Sequence, residues 1–559
     1  MFQPVLDPLA SSLAWSSLVA AVPLAVFFVL LGVVRLSAAV SALLSLAAAM
    51  AVAVAGYGMP VGQTLDAALL GAVFGLFPIM WIVVNALWVY RMTVDTGHFA
   101  VLRRSFSRLS DDRRMQAVIV AFCFGALLEA LAGFGAPVAI TSVMLIALGF
   151  RPFKAATVAL VANTAPVAFG AMGTPVTTLA QLTGLPLSDV ASTVGRQTPV
   201  LALVVPLLLV FLVDGRRGVR ETWPAALACG LAFAAAQFAC SNHLSVQLTD
   251  VVAALVAVAV LIPVMRATGT GVRAAAGGAD ADGSPAGEEH DAPAGGEYDD
   301  SGAVEPAQED TRAAVVRAYI PYAIIIVVFA VTQLPPVKAL LEAHGATEFP
   351  WPGLHVADPV TGKPSDSTVF SFDWLPATGT MLLLSGVLVA LALPVAPRVA
   401  VRAYGRTLHQ LRWAILTVAT VLALAYVMNL SGQTATIGHA IAGAGSGLAF
   451  LSPVLGWLGV AVTGSDTSSN ALFGTLQVTA ARSSGLSPEL LAAANSSGGV
   501  LSKMLSPQNL AIAAAATGLG GREAELLRKV VGWSLLLLLL ICVLVLLQST
   551  PVLSWMLPS

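Results

Sequence analysis

The sequence predicts an all-α polytopic membrane protein, with about 12 transmembrane helices and two re-entrant hairpins built as an inverted repeat. Three observations predict it. Of 559 residues, 57% are hydrophobic and only 10% charged, against about 25% charged in a soluble globular chain. The apolar runs are long enough to cross a bilayer, which takes roughly 20 residues as a helix. Finally, an irregular acidic stretch inside apolar sequence occurs twice. The first is Glu129-Ala-Leu-Ala-Gly133-Phe-Gly135-Ala-Pro137 and the second Gly464-Ser465-Asp466-Thr467-Ser468-Ser-Asn470. Each is followed by an asparagine and then, at the same spacing in both copies, a proline: Asn163 with Thr174-Pro175, and Asn495 with Ser506-Pro507. Such self-similarity marks an internal repeat.

In chain order, apolar runs at 14–34, 36–56 and 66–90 are each near the length of a span. A basic loop follows, with Arg91, Arg103, Arg104, Arg108, Arg113 and Arg114. The positive-inside rule makes that loop cytoplasmic and puts the N-terminus outside. The stretch 117–150 is split by the Gly133–Pro137 break into two short arms, either two short helices or a re-entrant hairpin. Run 155–190 crosses outward, interrupted at Gly173-Thr174-Pro175, and 197–213 returns to Arg216, Arg217 and Arg220. Runs 223–240 and 250–265 form an outward and inward pair.

Residues 267–313 are rich in Gly, Ala, Asp, Glu and Ser and nearly devoid of large apolar residues. They cannot bury enough surface to fold and are expected to be a disordered cytoplasmic linker. Run 316–333 leads to a long external loop, 334–375, whose Trp351 and Trp374 suggest an interfacial piece. Runs 376–397 and 413–430 flank Arg398, Arg402, Arg406 and Arg412. The second acidic break splits 450–481. Run 489–517 is broken at Ser506-Pro507, and a last helix at 530–547 leaves the C-terminus outside. The division is therefore 1–222 as first repeat, 223–266 as a connecting helix pair, 267–313 as linker and 314–559 as second, inverted repeat. Of the 28 Lys and Arg residues, this topology leaves only Arg196, Lys338, Lys363 and Arg482 outside and Lys503 within the membrane. That asymmetry supports the orientation.

Composition excludes several function classes. A net charge of −2 offers nothing to nucleic acid. Cys123, Cys229, Cys240 and Cys542 lie in apolar runs without metal or redox spacing. No metal, cofactor or enzyme motif is present, and Gly443-Ala-Gly-Ser-Gly447 is a weak phosphate-loop match with no strand before it. No Lys or Arg precedes the first apolar run, so the basic start of a cleaved signal peptide is missing.

Inverted repeats with helices broken near the midplane are the signature of secondary transporters. Half-helix N-termini attract anions. Neutral donors surround the breaks: Asn163, Thr174, Ser465, Thr467, Ser468, Asn495, Ser506 and Gln508. Lys503 either neutralises a bound carboxylate, pairs with Asp466 or Glu129, or snorkels to the interface. Glu129 and Asp466 are candidate proton carriers, with structural carboxyls as the alternative. The helix and hairpin breaks are assigned to Gly133, Gly135, Pro137, Gly173, Pro175, Gly464 and Pro507. Gly170 and Gly499 are better read as small-residue helix packing. These groups suit a small anion carrying a carboxylate and a hydroxyl.

The chain resembles the bacterial lactate permease family, which includes L-lactate and glycolate permeases. The resemblance is carried by Glu129 to Val138, by Asn163-Thr-Ala-Pro-Val-Ala-Phe-Gly170 with Gly173-Thr-Pro175, by Gly464 to Asn470, and by Ser506-Pro-Gln-Asn-Leu510. It covers both halves, and 267–313 looks like an insertion relative to that pattern. The resemblance implies proton symport of 2-hydroxymonocarboxylates, L-lactate, D-lactate or glycolate, across the bacterial inner membrane. The partners are then substrate, protons and lipid, with a homo-oligomer also compatible. The competing classes are a sodium-coupled di- or tricarboxylate carrier and an anion channel.

Overall fold

A computed structural model describes residues 1–269 except 108, 111, 132 and 134, and residues 311–558 except 333 and 358–363. The expected linker lies almost wholly outside the described residues. Its first residues end the helix Thr249–Thr268, and from Arg312 its last ones begin Arg312–Thr332.

Among the described residues nine helices are long and apolar enough to cross a membrane, or ten if the bent pair Pro152–Ala162 and Val167–Thr183 is one span. The number depends on how interrupted helices are counted. The stretch Leu187–His243 is broken at Asp214 and Gly215, where Gly215 takes φ 62° and ψ −149°. There the chain doubles back: Arg196 Nε donates to Asn242 Oδ1 at 3.0 Å, and a Cβ on Gly230 would stand 2.8 Å from Leu203 O. Runs 197–213 and 223–240 are thus two antiparallel arms packed side by side, as the sequence indicated. Elsewhere basic residues continue helices rather than break them. Arg398, Arg402, Arg406 and Arg412 all lie in Pro397–Ser431. Arg and Lys are good helix formers, so positive charge marks where a helix leaves the lipid and not where it ends.

The expectation of an all-helical chain needs one correction. The loop 334–375 holds a helix, Pro335–Gly345, and a short antiparallel pair, Glu348–Pro350 with Val369–Ser371. Phe370 anchors the pair in an aromatic cluster with Phe74, Phe349 and Trp351. The chain start is tied to the same region by Phe2 N–H donating to His355 O at 2.8 Å.

Two apolar cores organise the helices. One gathers Arg113–Leu131, both interrupted helices, Leu187–His243 and Glu523–Gln548. The other gathers Ala38–Ala55, Val61–Phe74 and Pro397–Ser431. Within lipid, helices associate by close packing rather than by hydrophobic exclusion, and small residues at the contacts allow it. A Cβ on Gly71 would stand 2.8 Å from Ala423 Cα, and one on Gly498 would stand 2.6 Å from Pro453 Cα. All four cysteines are buried and unbridged.

Candidate functional site

Two hairpins and two broken helices meet where the two cores adjoin. The first hairpin is Arg113–Leu131 followed by Ala136–Ala147. From Ala117 its first arm is apolar apart from Glu129 near its end, and it is almost entirely buried. The turn passes through Gly133 at φ 47° and Gly135 at φ 85°, a region that side chains with a Cβ rarely adopt. Pro137 stands in the first turn of the returning arm, where its missing N–H is harmless. The second hairpin is Gly447–Thr463 followed by Asp466–Ser484. Gly464 closes the first arm at φ 74°, and Ser465 caps the second by accepting from Ser468 N–H at 3.2 Å. Asp466 thus sits in the first turn of its helix, where the dipole favours negative charge.

The first broken helix runs Pro152–Ala162, turns at Asn163, passes a short 3₁₀ turn at Val167–Phe169 and resumes as Gly170–Thr183, with a bend of 65°. Ala171, Met172 and Gly173 are all left-handed, at φ 43°, 57° and 73°. Two consecutive non-glycine residues there are strained by about 1–3 kcal/mol each. Thr174 Oγ1 donates to Ala171 O at 2.5 Å and holds the break. The second broken helix runs Pro488–Gly499, then a 3₁₀ segment Val500–Leu505 carrying Lys503, then Pro507–Ala516. Ser506 caps the last part by accepting from Asn509 N–H at 3.3 Å, and Asn509 Nδ2 donates to Lys503 O at 2.9 Å.

Lys503 joins the two halves. Its Nζ donates to Glu129 Oε1 at 2.5 Å, with both side chains buried. Glu129 Oε2 is buried without a partner. Gly170 lies beneath this pair, and a Cβ there would stand 2.9 Å from Glu129 Oε1. Asp466 has an analogous floor in Gly499, whose Cβ would stand 2.5 Å from Oδ1. Asp466 Oδ2 accepts from Ser496 Oγ at 2.5 Å and from Asn470 Nδ2 at 3.4 Å, while Oδ1 has no partner. Asn470 Nδ2 also donates to Pro175 O at 3.2 Å, tying the second hairpin to the first broken helix.

These groups border a cavity of about 280 Å³. Of the residues expected from sequence, Glu129, Gly133, Thr174, Pro175, Gly464, Ser465, Asp466, Thr467, Ser468, Lys503 and Gln508 line it. The others stand behind the wall. Asn495 donates to Asn470 Oδ1 at 2.8 Å and so supports Asp466 through a second amide. Asn163 is buried with both amide atoms unpartnered. Ser506 and Pro507 shape the break beside Gly464, Gly173 packs on Val246, and Gly135 lies by Asn509. Gly170 and Gly499 serve the carboxylates as close-approach positions rather than as helix packing alone. Ser496 and the far wall, Ser37–Ala39, Val83, Trp413, Ala414, Thr417 and Val418, have no sequence signature that separates them from ordinary span residues. Of the lining residues, Trp413 and Ser37 are exposed and follow closely on Arg412 and Arg35 in the chain. Among the described residues no cluster of His, Cys, Asp and Glu suits a metal ion.

The fold and this cavity define a multi-pass helical membrane protein with a polar cavity between two hairpins and two interrupted helices. The chain belongs to the L-lactate permease family, whose profile matches residues 16–552. It is 41% identical over 553 residues to the glycolate permease GlcA of Escherichia coli, covering 96% of each chain. It is 40% identical to the L-lactate permease of Salmonella typhimurium over the full length of both, and 40% identical to that of Bacillus subtilis over 99% of each. Among solved structures it is similar to the YdaH transporter of Alcanivorax borkumensis, with 15% identity, coverage of 96% and 97%, and a TM-score of 0.43.

Proposed function

We propose that this chain imports small 2-hydroxymonocarboxylates, glycolate and L- or D-lactate, by proton symport and alternating access across the bacterial inner membrane. The observation that carries the proposal is the buried Lys503–Glu129 pair at the cavity wall. The pair is formally neutral. Adding a substrate carboxylate beside Lys503 would leave one buried negative charge in excess, which costs several kcal/mol. A proton entering with the substrate and settling on Glu129 restores neutrality. The substrate carboxylate then replaces Glu129 as the partner of Lys503, and its hydroxyl meets Thr174, Ser465, Thr467 or Gln508. Asp466 is the second candidate for the proton. The names of the relatives support the substrate class.

In this proposal the halves 1–222 and 314–559 are inverted copies, both termini face outward, and the cavity is open to the cytoplasm. The two short arms Ala136–Ala147 and Gly447–Thr463 support re-entrant hairpins, since the first, at roughly 18 Å, is shorter than the hydrocarbon core. Lys503 is the only Lys or Arg lining the cavity, which argues against multiply charged substrates. Sodium-coupled di- or tricarboxylate transport is therefore the weaker assignment, and a channel is weaker still.

The test uses proteoliposomes and labelled L-lactate or glycolate. Glu129→Gln should abolish accumulation driven by a pH gradient while leaving exchange of internal for external substrate measurable. Unchanged accumulation in that variant would remove Glu129 as proton carrier.

A further inference from the structure

A third carboxyl lies deep in the protein, apart from the cavity lining. Asp250 stands in the first turn of Thr249–Thr268 and is fully buried. Gln237 Nε2 donates to its Oδ1 at 2.9 Å. Asp250 Oδ2 and Gln237 Oε1 are both buried acceptors without a partner. Buried polar atoms are rarely left so, because each forfeits its hydration. A single proton on Asp250 Oδ2, donated to Gln237 Oε1, would satisfy both in a cyclic acid–amide pair.

The surroundings support a neutral acid. From Leu187–His243, Gln237 and the thiol of Cys240 face this carboxyl. From Gly125–Leu131, which packs on Thr249–Thr268, comes the carboxylate of Glu129, within electrostatic reach. The packed segments Ala117–Phe124 and Gly170–Thr183 contribute no ionisable group except Cys123, which lies 3.5 Å from Cys229. No lysine, arginine or histidine of these elements compensates Asp250.

A second, polar cavity of about 470 Å³ lies next to this pair. Ser241, Ser245 and Gln247 line it. Ser241 Oγ donates to Gln237 O at 2.7 Å, and Thr249 Oγ1 donates to Ser245 O at 2.9 Å, so the acid–amide pair is one helical turn below its floor. Val246, another lining residue, presses on Gly173 in the strained break of the first broken helix and separates this cavity from the Lys503 cavity. The second cavity lies at the end of the helices that charge bias assigns to the exterior.

We propose that Asp250 is a second proton-holding carboxyl, loaded from this cavity and supplying Glu129 during transport. It rests on the proton-symport assignment above. The O–H bond at Asp250 Oδ2 breaks and one forms at Glu129, and water in the second cavity returns the proton to Asp250. While Lys503 pairs with Glu129, that carboxylate is a poor acceptor and the transfer is held back. Once a substrate carboxylate takes Lys503, Glu129 accepts. This order would prevent an idle proton leak.

The full-length protein in proteoliposomes tests it, with L-lactate as probe. Asp250→Asn should keep lactate counterflow close to wild type but lose pH-gradient-driven uptake by an order of magnitude or more. Asp250→Glu should restore part of it. Infrared difference spectra at mildly alkaline pH should show the carbonyl stretch of a protonated carboxyl in wild type and its loss in Asp250→Asn. A wild-type pH-gradient response in Asp250→Asn would overturn the relay, as would a parallel loss of counterflow in a monodisperse variant. Absence of the protonated-carboxyl band would overturn it even if the variants failed to fold. If wild type itself shows no response to a pH gradient, the symport assignment fails, and the infrared band still decides the protonation of Asp250.

Discussion

At the scale of single residues, the site is a small set of charges held in an apolar bundle, and their mutual dependence is testable. Removing one member of a buried ion pair strands the other and typically costs about 3–5 kcal/mol, whereas replacing both with apolar groups is often neutral. Lys503→Ala should therefore lower the thermal stability of the purified protein, and Glu129→Gln added to it should recover most of the loss. Additive losses in the double variant would mean that the 2.5 Å contact is not an energetic pair. Lys503→Ala should also raise the half-saturation concentration for lactate by tenfold or more, since a charge-assisted contact is worth about 1.5–3 kcal/mol. A normal value would make Lys503 structural. Gly170→Ala should displace Glu129, because its Cβ would stand 2.9 Å from Oε1. Transport should fall steeply with little change in expression, and normal transport would show that Glu129 has room to move.

Glu129, Asp466 and Lys503 were legible in the sequence because an ionisable residue inside an apolar run is expensive and needs a reason. Asp250 was not, because it stands at the very start of its apolar run, where a carboxylate carries no such signal. Gly170 and Gly499 look like any glycine in a membrane helix until their neighbours are known. The same holds for Trp413 and Ser37, whose contribution depends on how distant helices pack.

At the scale of elements, the breaks themselves are the design. Both hairpin turns and the first broken helix combine a left-handed residue with a cap or a proline: Gly464 with Ser465, Gly135 with Pro137, Gly173 with Thr174. The second broken helix uses the Ser506 cap and Pro507 alone. These were visible as punctuation in otherwise periodic sequence. Gly464→Ala should destabilise by about 1–2 kcal/mol, the cost of placing a Cβ in left-handed backbone. It should also disturb Gln508, whose Oε1 would lie 2.9 Å from the new Cβ. Ser465→Ala, which removes only a cap, should cost about 1 kcal/mol. Thermal unfolding in detergent measures both, and a larger loss for Ser465→Ala than for Gly464→Ala would contradict this ranking. What the sequence did not disclose is where helices end. The arginine-rich stretch 398–412 separates two apolar runs because charge leaves the lipid there, yet the backbone stays helical through it.

At the scale of the whole molecule, the two halves exchange contacts rather than standing apart. The second hairpin is bonded to the first broken helix through Asn470 and Pro175, and the second broken helix reaches the first hairpin through Lys503 and Glu129. The paired motifs were detectable because they kept their spacing. The small strand pair was not, since it depends on packing partners far away in the chain.

The most direct measurement is uptake of labelled L-lactate into proteoliposomes under an imposed pH gradient, acidic outside, with sodium present or replaced by choline. Proton coupling through the Lys503–Glu129 site predicts accumulation above equilibrium in both media, abolished by an uncoupler and by Glu129→Gln. Accumulation that requires sodium, or uptake that stops at equilibration whatever the pH gradient, would contradict it.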